Sequence, residues 1–283
     1  MLFFLLLALF VWHASAVSFH QHKKISADTY YLGKFQHPRH RLKQVEGYAF
    51  LHSHASSPAA KSAPSTSKSV HFGRSNATEV ERRKRQTPVC WSPIAVGAVW
   101  KTSLGYYVNA RNNQGLSSRF IVSTLTSATD AWNCALRSKN RLVIGPLLEV
   151  REDLSGADIN TNGPDGANVV GFGSIDGHVG SIGVTILYGI FTQDAALNEI
   201  VEFKMLLDSQ HYTFGDATLR ADVIDLLSTV THEMGHAFGS EDIYNPDCSE
   251  VTMFGLASGG EFKKRTLEQP DFEGIQKLYP NQY

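Results

Sequence analysis

The chain has 283 residues, 42% of them hydrophobic and 19% charged, which fits a globular protein and excludes a disordered or collagen-like chain. Its net charge of −1 conceals a division: residues 1–85 hold 13 Lys or Arg against 4 Asp or Glu, net +9, and residues 86–283 hold 13 against 23, net −10. Segments of opposite sign attract each other at moderate ionic strength; no finger, RNA motif or basic helix accompanies the basic part, so nucleic-acid binding is not expected.

Met1 is followed by the apolar run Leu2 to Trp12 and by Ala14-Ser15-Ala16. That is the pattern of a signal peptide with a small-x-small cleavage site, and the run is shorter than the ~20 apolar residues of a spanning helix. The expected product is secreted, without a membrane anchor. Residues 17–52 are modestly apolar and rich in His and Lys, and residues 53–70 form a small, polar tract that cannot fold alone. Asn76-Ala77-Thr78 is a glycosylation sequon. Arg82-Arg83-Lys84-Arg85 then stands between the polar tract and the onset of globular sequence, where a subtilisin-like processing protease of the secretory pathway would cut. The expected parts are a signal peptide at 1–16, a basic propeptide with disordered linker at 17–85, and a folded domain at 86–283.

In that last part Trp100, Leu104, Tyr106 and Val108 alternate as in a half-buried strand. Ile121, Leu125, Ala128, Trp132 and Ala135 recur at helical spacing. Residues 141–150 predict a second strand, and the glycine-rich stretch from Gly163 to Gly183 predicts loop for much of its length. Strands are expected at 184–190 and 200–207, the strongest helix at 221–238, and a last short helix near 271–278, stopped by Pro280.

The segment Thr231-His232-Glu233-Met234-Gly235-His236-Ala237-Phe238-Gly239-Ser240-Glu241-Asp242 carries the chemistry. Histidines at i and i+4 share one helix face, so both imidazoles reach one ion, zinc being the metal that suits them. Glu233 can approach a metal-bound water without itself ligating. Gly239 permits the left-handed backbone that ends a helix, and the turn would return Asp242 to the metal as third ligand. The bland alternative is a surface helix with two solvated histidines.

His232-Glu233-x-x-His236-x-x-Gly239-x-x-Asp242, with Met253 in Ser249-Glu250-Val251-Thr252-Met253-Phe254-Gly255, resembles the metzincin metalloproteases, Met253 matching their methionine turn. Asp242 in place of the usual third His, Asp242-x-Tyr244 and Cys248-Ser249-Glu250 resemble the snapalysin branch. Ile200-Val201-Glu202-Phe203 and the segment from Asp271 to Tyr279 look more like a matrixin catalytic domain. The resemblance implies an α+β zincin fold: a twisted mixed sheet, an active-site helix and a C-terminal helix. It implies a monomeric zinc endopeptidase acting on protein or peptide substrates, with Glu233 as general base and Met253 as an apolar floor under the ligands. Tyr244 would donate to the developing oxyanion, an ordinary packed tyrosine being the equal alternative. The strand at 184–190 would be the edge that pairs with extended substrate.

No structural-zinc histidine cluster accompanies the motif. Asp158, Asp165 and Asp176 offer a calcium loop, against the plainer reading of loop-solvating carboxylates. Rival functions are a catalytically inactive binding protein on the same scaffold, which an intact Glu233 argues against, and a zinc hydrolase of another amide. Of Cys90, Cys134 and Cys248, Cys248 is expected in a disulfide, with Cys134 preferred as partner. The matrixin route to latency needs a propeptide cysteine, and residues 17–85 contain none. A plug would then come from Asp28, Glu46, His37 or His40, with charge attraction between propeptide and domain as the source of affinity.

Overall fold

The computed structural model describes residues 16–19, 21–26, 28–39, 44–56, 88–136, 144–150, 162–176 and 180–280. Four strands precede Arg85: β1 Ala16–Ser18, β2 Lys23–Lys24, β3 Thr29–Gln36 and β4 Gln44–His54. Next come β5 Leu104–Val108, helix α1 Ser118–Leu136, β6 Ile144–Val150, β7 Val169–Asp176, β8 Ser181–Ile190 and β9 Glu199–Asp208. The rest holds β10 Phe214–Gly215, β11 Ile224–Asp225, helix α2 Leu226–Ala237, β12 Leu256–Ala257 and helix α3 Gln269–Leu278. The architecture is α+β, with one mixed sheet ordered β2-β3-β4-β8-β9-β7-β5-β6; β1 lies beside β7, and β12 beside β4. Strands β9, β7, β5 and β6 are parallel, while β8 runs antiparallel to both β9 and β4.

The expected helical stripe is the buried face of α1: Ile121, Leu125, Ala128, Trp132 and Ala135 all lie in the core. Trp132 donates its indole N–H to the Thr231 carbonyl at 2.8 Å, tying α1 to α2. Helix α2 starts later than the 221 its apolar stripe predicts. Asp225 is its N-cap and accepts from the Ser228 amide at 2.8 Å, because a carboxylate satisfies an amide that the first turn leaves free. Residues 224–225 pair instead with β10.

One expectation is corrected here. The glycine-rich stretch contains all of β7 and the start of β8. Val170 and Phe172 enter one core cluster and Val169 and Ile175 the other, so β7 is buried on both faces, and Gly171 and Gly173 take alternate positions beside Val169 and Ile175. The strands before Arg85 belong to the same sheet as those after residue 100. The apolar residues Val17, Phe19, Tyr30, Leu32, Val45, Ala49 and Leu51 form a cluster with Val169, Ile175, Val184, Ile186, Tyr188 and Leu206 of the later strands. The sequon and Arg82–Arg85 lie outside the described residues, as do the signal-like residues 1–15 and His40. No described helix is long and apolar enough to cross a membrane.

Candidate metal centre

Helix α2 carries His232 and His236 one turn apart on a fully buried surface. The helix ends at Phe238, and Gly239 turns the chain at φ +100°, a conformation that favours glycine. The Gly239 amide donates to the His236 carbonyl at 2.8 Å, and the Ser240 amide to the Gly235 carbonyl at 2.9 Å. Asp242 is thereby carried back under the helix. One carboxylate oxygen lies 3.1 Å from His232 Nε2 and 3.6 Å from His236 Nε2. The side chain of Glu241 goes elsewhere: the Ser92 hydroxyl donates to it at 3.4 Å.

The outer nitrogens decide the protonation of the ring nitrogens inside. His232 Nδ1 donates to the Thr252 carbonyl at 2.8 Å and His236 Nδ1 to the Ser240 carbonyl at 2.9 Å. A carbonyl only accepts, so each ring carries its proton on Nδ1 and turns a bare lone pair on Nε2 inward. Burial favours that neutral form, pushing His236 down to about 4 and His232 well below the ordinary imidazole value. Both Nε2 atoms and both Asp242 oxygens are buried without a hydrogen-bond donor. Four lone-pair atoms converging in a water-excluded space repel one another unless a cation sits among them. Two neutral nitrogens with one carboxylate is a donor set that zinc accepts while keeping a further position open. His232, His236 and Asp242 thus fit a metal ion.

Glu233 lies on the neighbouring face, against β8. The Thr185 hydroxyl donates to Oε2 at 2.5 Å, and Oε1 has no partner. A Cβ on Gly183 would come within 2.7 Å of that oxygen, so glycine there makes room for the carboxylate. Burial, and the nearby Asp242 charge, push its pKa well above the usual carboxylate range, despite the Thr185 hydrogen bond.

Met253 is fully buried beneath α2, where a Cβ at Gly235 would meet its sulfur at 2.1 Å and Trp132 at 2.6 Å. Gly235 is therefore needed for Met253 and Trp132 to reach the helix between the histidines. The Thr252 carbonyl orients His232 from the same segment, and the Asp271 carboxylate fixes that segment by accepting from the Thr252 and Met253 amides at 2.8 and 3.3 Å. Tyr244 packs over Gly255, and its buried hydroxyl lacks a protein partner.

Residues 90–100 strap the turn. Cys90 bonds Cys248, Trp91 donates to the Ser240 hydroxyl at 3.0 Å, and Trp100 donates to the Ala237 carbonyl at 2.7 Å. Cys248 is in a disulfide as expected, but its partner is Cys90. Cys134 is free, because it falls on the exposed side of α1 between the buried Asn133 and Ala135.

Three residues that sequence reasoning passed over complete the centre: His52, Thr185 and Lys264. His52, on β4, stacks on His232 at 3.8 Å between ring centroids, and its Nδ1 lies 3.8 Å from Glu233 Oε1. Lys264 donates to His52 Nε2 at 3.0 Å and to the carbonyls of Phe254 and Leu256. An ammonium only donates, so His52 accepts at Nε2 and is neutral. Burial lowers Lys264 to about 8. The alternation Tyr48, Phe50, His52 in an apolar run was the available signal. Of the residues considered as plugs, Asp28 is buried and its pKa is pushed well up, first by burial and then by the Asp242 charge. His37 instead meets Glu202 at 3.0 Å, and Glu46 accepts from Tyr48 at 2.8 Å. Asp165, considered for calcium, is paired with Lys204 at 2.5 Å, and Asp158 lies outside the described residues. Comparison with protein-family models and with curated proteins finds no match for this chain.

Proposed function

We propose that the chain is a zinc-dependent endopeptidase of metzincin type, exported as a precursor. The observation that carries this reading is the convergence of His232 Nε2, His236 Nε2 and the Asp242 carboxylate, buried and without a donor, beside an unpartnered Glu233 oxygen. A twisted mixed sheet over two main helices, the turn at Gly239 and the buried Met253 agree with the same family reading.

His232, His236 and Asp242 hold the ion. Held by these three residues, zinc would supply a Lewis acid that polarises a peptide carbonyl and acidifies the attacking water. Glu233 takes the proton from the attacking water at Oε1 and later passes it to the leaving amine nitrogen. Burial raises its pKa, which strengthens the carboxylate as a proton acceptor. Thr185 holds Oε2 so that Oε1 faces the reacting atoms. The Asp242 charge makes the metal a weaker acid than a third neutral histidine would. β8, through its backbone, aligns an extended peptide by strand pairing, and the Tyr244 hydroxyl donates to the carbonyl oxygen as charge develops on it.

The test is direct. Chain cleaved after Arg85 and separated from the preceding residues is incubated with a mixed protein substrate, with and without a zinc chelator. New peptides that cease with chelator support the reading; zinc-loaded protein that cleaves nothing overturns it.

A further inference from the structure

Strand β8 is not an edge in this chain. It is paired along its whole length with β4 in antiparallel register, from Glu46 opposite Gly189 to Ser53 opposite Ser181. The other side of β4 is also engaged: the Leu51 amide donates to the Asp28 carbonyl at 2.9 Å, Ser53 to Gly255 at 3.4 Å and Ala55 to Ala257 at 2.8 Å. β12 pairs in parallel with residues 53 and 54. The end of β4 therefore lies in a slot with β8 as one wall and residues 255–257 as the other, and His52 rests over His232 and Glu233. The slot admits a single extended chain, and a peptide that pairs with β8 needs the edge that β4 holds.

The contacts that seat this segment do not depend on its covalent link to the rest. Two residues before His52, Phe50 stacks on His236 at 5.1 Å, and Tyr48 meets Phe191 edge-on at 5.3 Å. On the opposite face seven apolar residues of the segment cover Val184, Ile186, Tyr188 and their neighbours. His37 reaches Glu202, which also accepts from the Asp165 and Gly166 amides. A cut after Arg85 removes none of these, and departure of the segment exposes an apolar sheet face to water.

We propose that residues 17–54 are a separable inhibitory partner of the rest of the chain: after cleavage following Arg85 they stay seated between β8 and residues 255–257 as a second, non-covalent chain and bind there in trans. The inhibitory part rests on the peptidase reading above; the binding part does not. Processing then has two stages, the cut and a later loss of the bound segment by dissociation or further proteolysis. The plug is the β4 backbone with His52 over the base, in place of a thiolate on the metal.

The experiment uses the full-length chain with a site-specific protease sequence substituted for Arg82–Arg85. After complete cutting it is passed over a sizing column and examined by amide hydrogen exchange. The two pieces should co-elute, with β8 amides as protected as in uncut chain and peptide hydrolysis suppressed until the small piece is removed; adding the piece back should restore both. Phe50→Asp in the same chain should shorten the lifetime of the complex by about tenfold or more. Pieces that separate at once, or co-elute while β8 exchanges freely, overturn the proposal. If the freed large piece hydrolyses nothing but recaptures the small one, the peptidase reading fails while the seat on β8 stands.

Discussion

At the scale of single residues, the centre is defined by which atoms lack a partner. Asp242 and Glu241 are adjacent carboxylates, yet only Asp242 points its oxygens at the two imidazoles, while Glu241 is drawn to Ser92. Asp242→Ala should sharply lower zinc occupancy measured by metal analysis, and Glu241→Ala should leave it unchanged. The opposite ranking would move the third ligand. In the proposed reading Glu233 is the base beside the His232–His236–Asp242 cluster and not a ligand, so Glu233→Ala should keep the metal and lose about 10²–10⁴-fold in peptide hydrolysis, the usual worth of a positioned acid–base group. An assay of hydrolysis beside metal content separates the two roles; a variant that stays active removes Glu233 from the reaction.

Elements owe their ends and spacing to a few contacts that can be tested singly. Gly235→Ala replaces a poor helix former by a better one, an intrinsic gain of ~1 kcal/mol. The added methyl would meet Met253 and Trp132 far inside contact distance, and overpacking of that kind costs about 1–3 kcal/mol. The net expectation is a lower denaturation midpoint and disturbed metal binding. Cys90→Ser releases the strap from the turn after α2 and should cost about 2–5 kcal/mol. Cys134→Ser, on the exposed side of α1, should be silent in the same melt. The connection between β10 and β11 predicts a pH effect. Hydrogen bonds from Thr218, then from Arg265, hold the Asp216 carboxyl down at about 2 against an ordinary 3.8. The folded state therefore binds this proton less readily than the unfolded one. The resulting stability is complete above the ordinary carboxylate value and is lost as pH falls through about 2. Asp216→Asn should flatten that acid limb in urea midpoints taken across the range.

For the whole molecule, the opposite charges of the two parts suggest docking by attraction, but the described contacts tell otherwise. A backbone ladder, an apolar cluster and the buried His37–Glu202 pair join them. Fully burying one Val, Leu, Ile or Phe side chain is worth about 1.5–3 kcal/mol and is not screened by salt. Retention of residues 17–54 after cleavage should accordingly survive about 1 M salt, where the Debye length falls to roughly 3 Å. Elution of the segment at high salt would return the affinity to long-range charge.

The convergence of side chains at the centre was legible because it is local: His232, Glu233 and His236 are ordered by one helical turn, and Gly239 with Asp242 by the turn that follows. The stripe of α1 and the alternation of β5 were legible for the same reason, since burial on one face writes a period into the chain. β7 was not, because a strand buried on both faces has no alternation and its glycines read as loop. The pairing of Cys248 with Cys90 was not legible either, as it depends on where a strap 158 residues away crosses the turn. Least legible was His52. Its place over Glu233 is set by the register of β4 on β8, and register is decided by two apolar faces meeting, which neither strand encodes alone. The sequence by itself determined that two imidazoles and two carboxylates would meet, because His232, Glu233, His236 and Asp242 lie within twelve consecutive residues. Only the tertiary structure decided what covers them, because the covering strand lies far along the chain and is selected by packing.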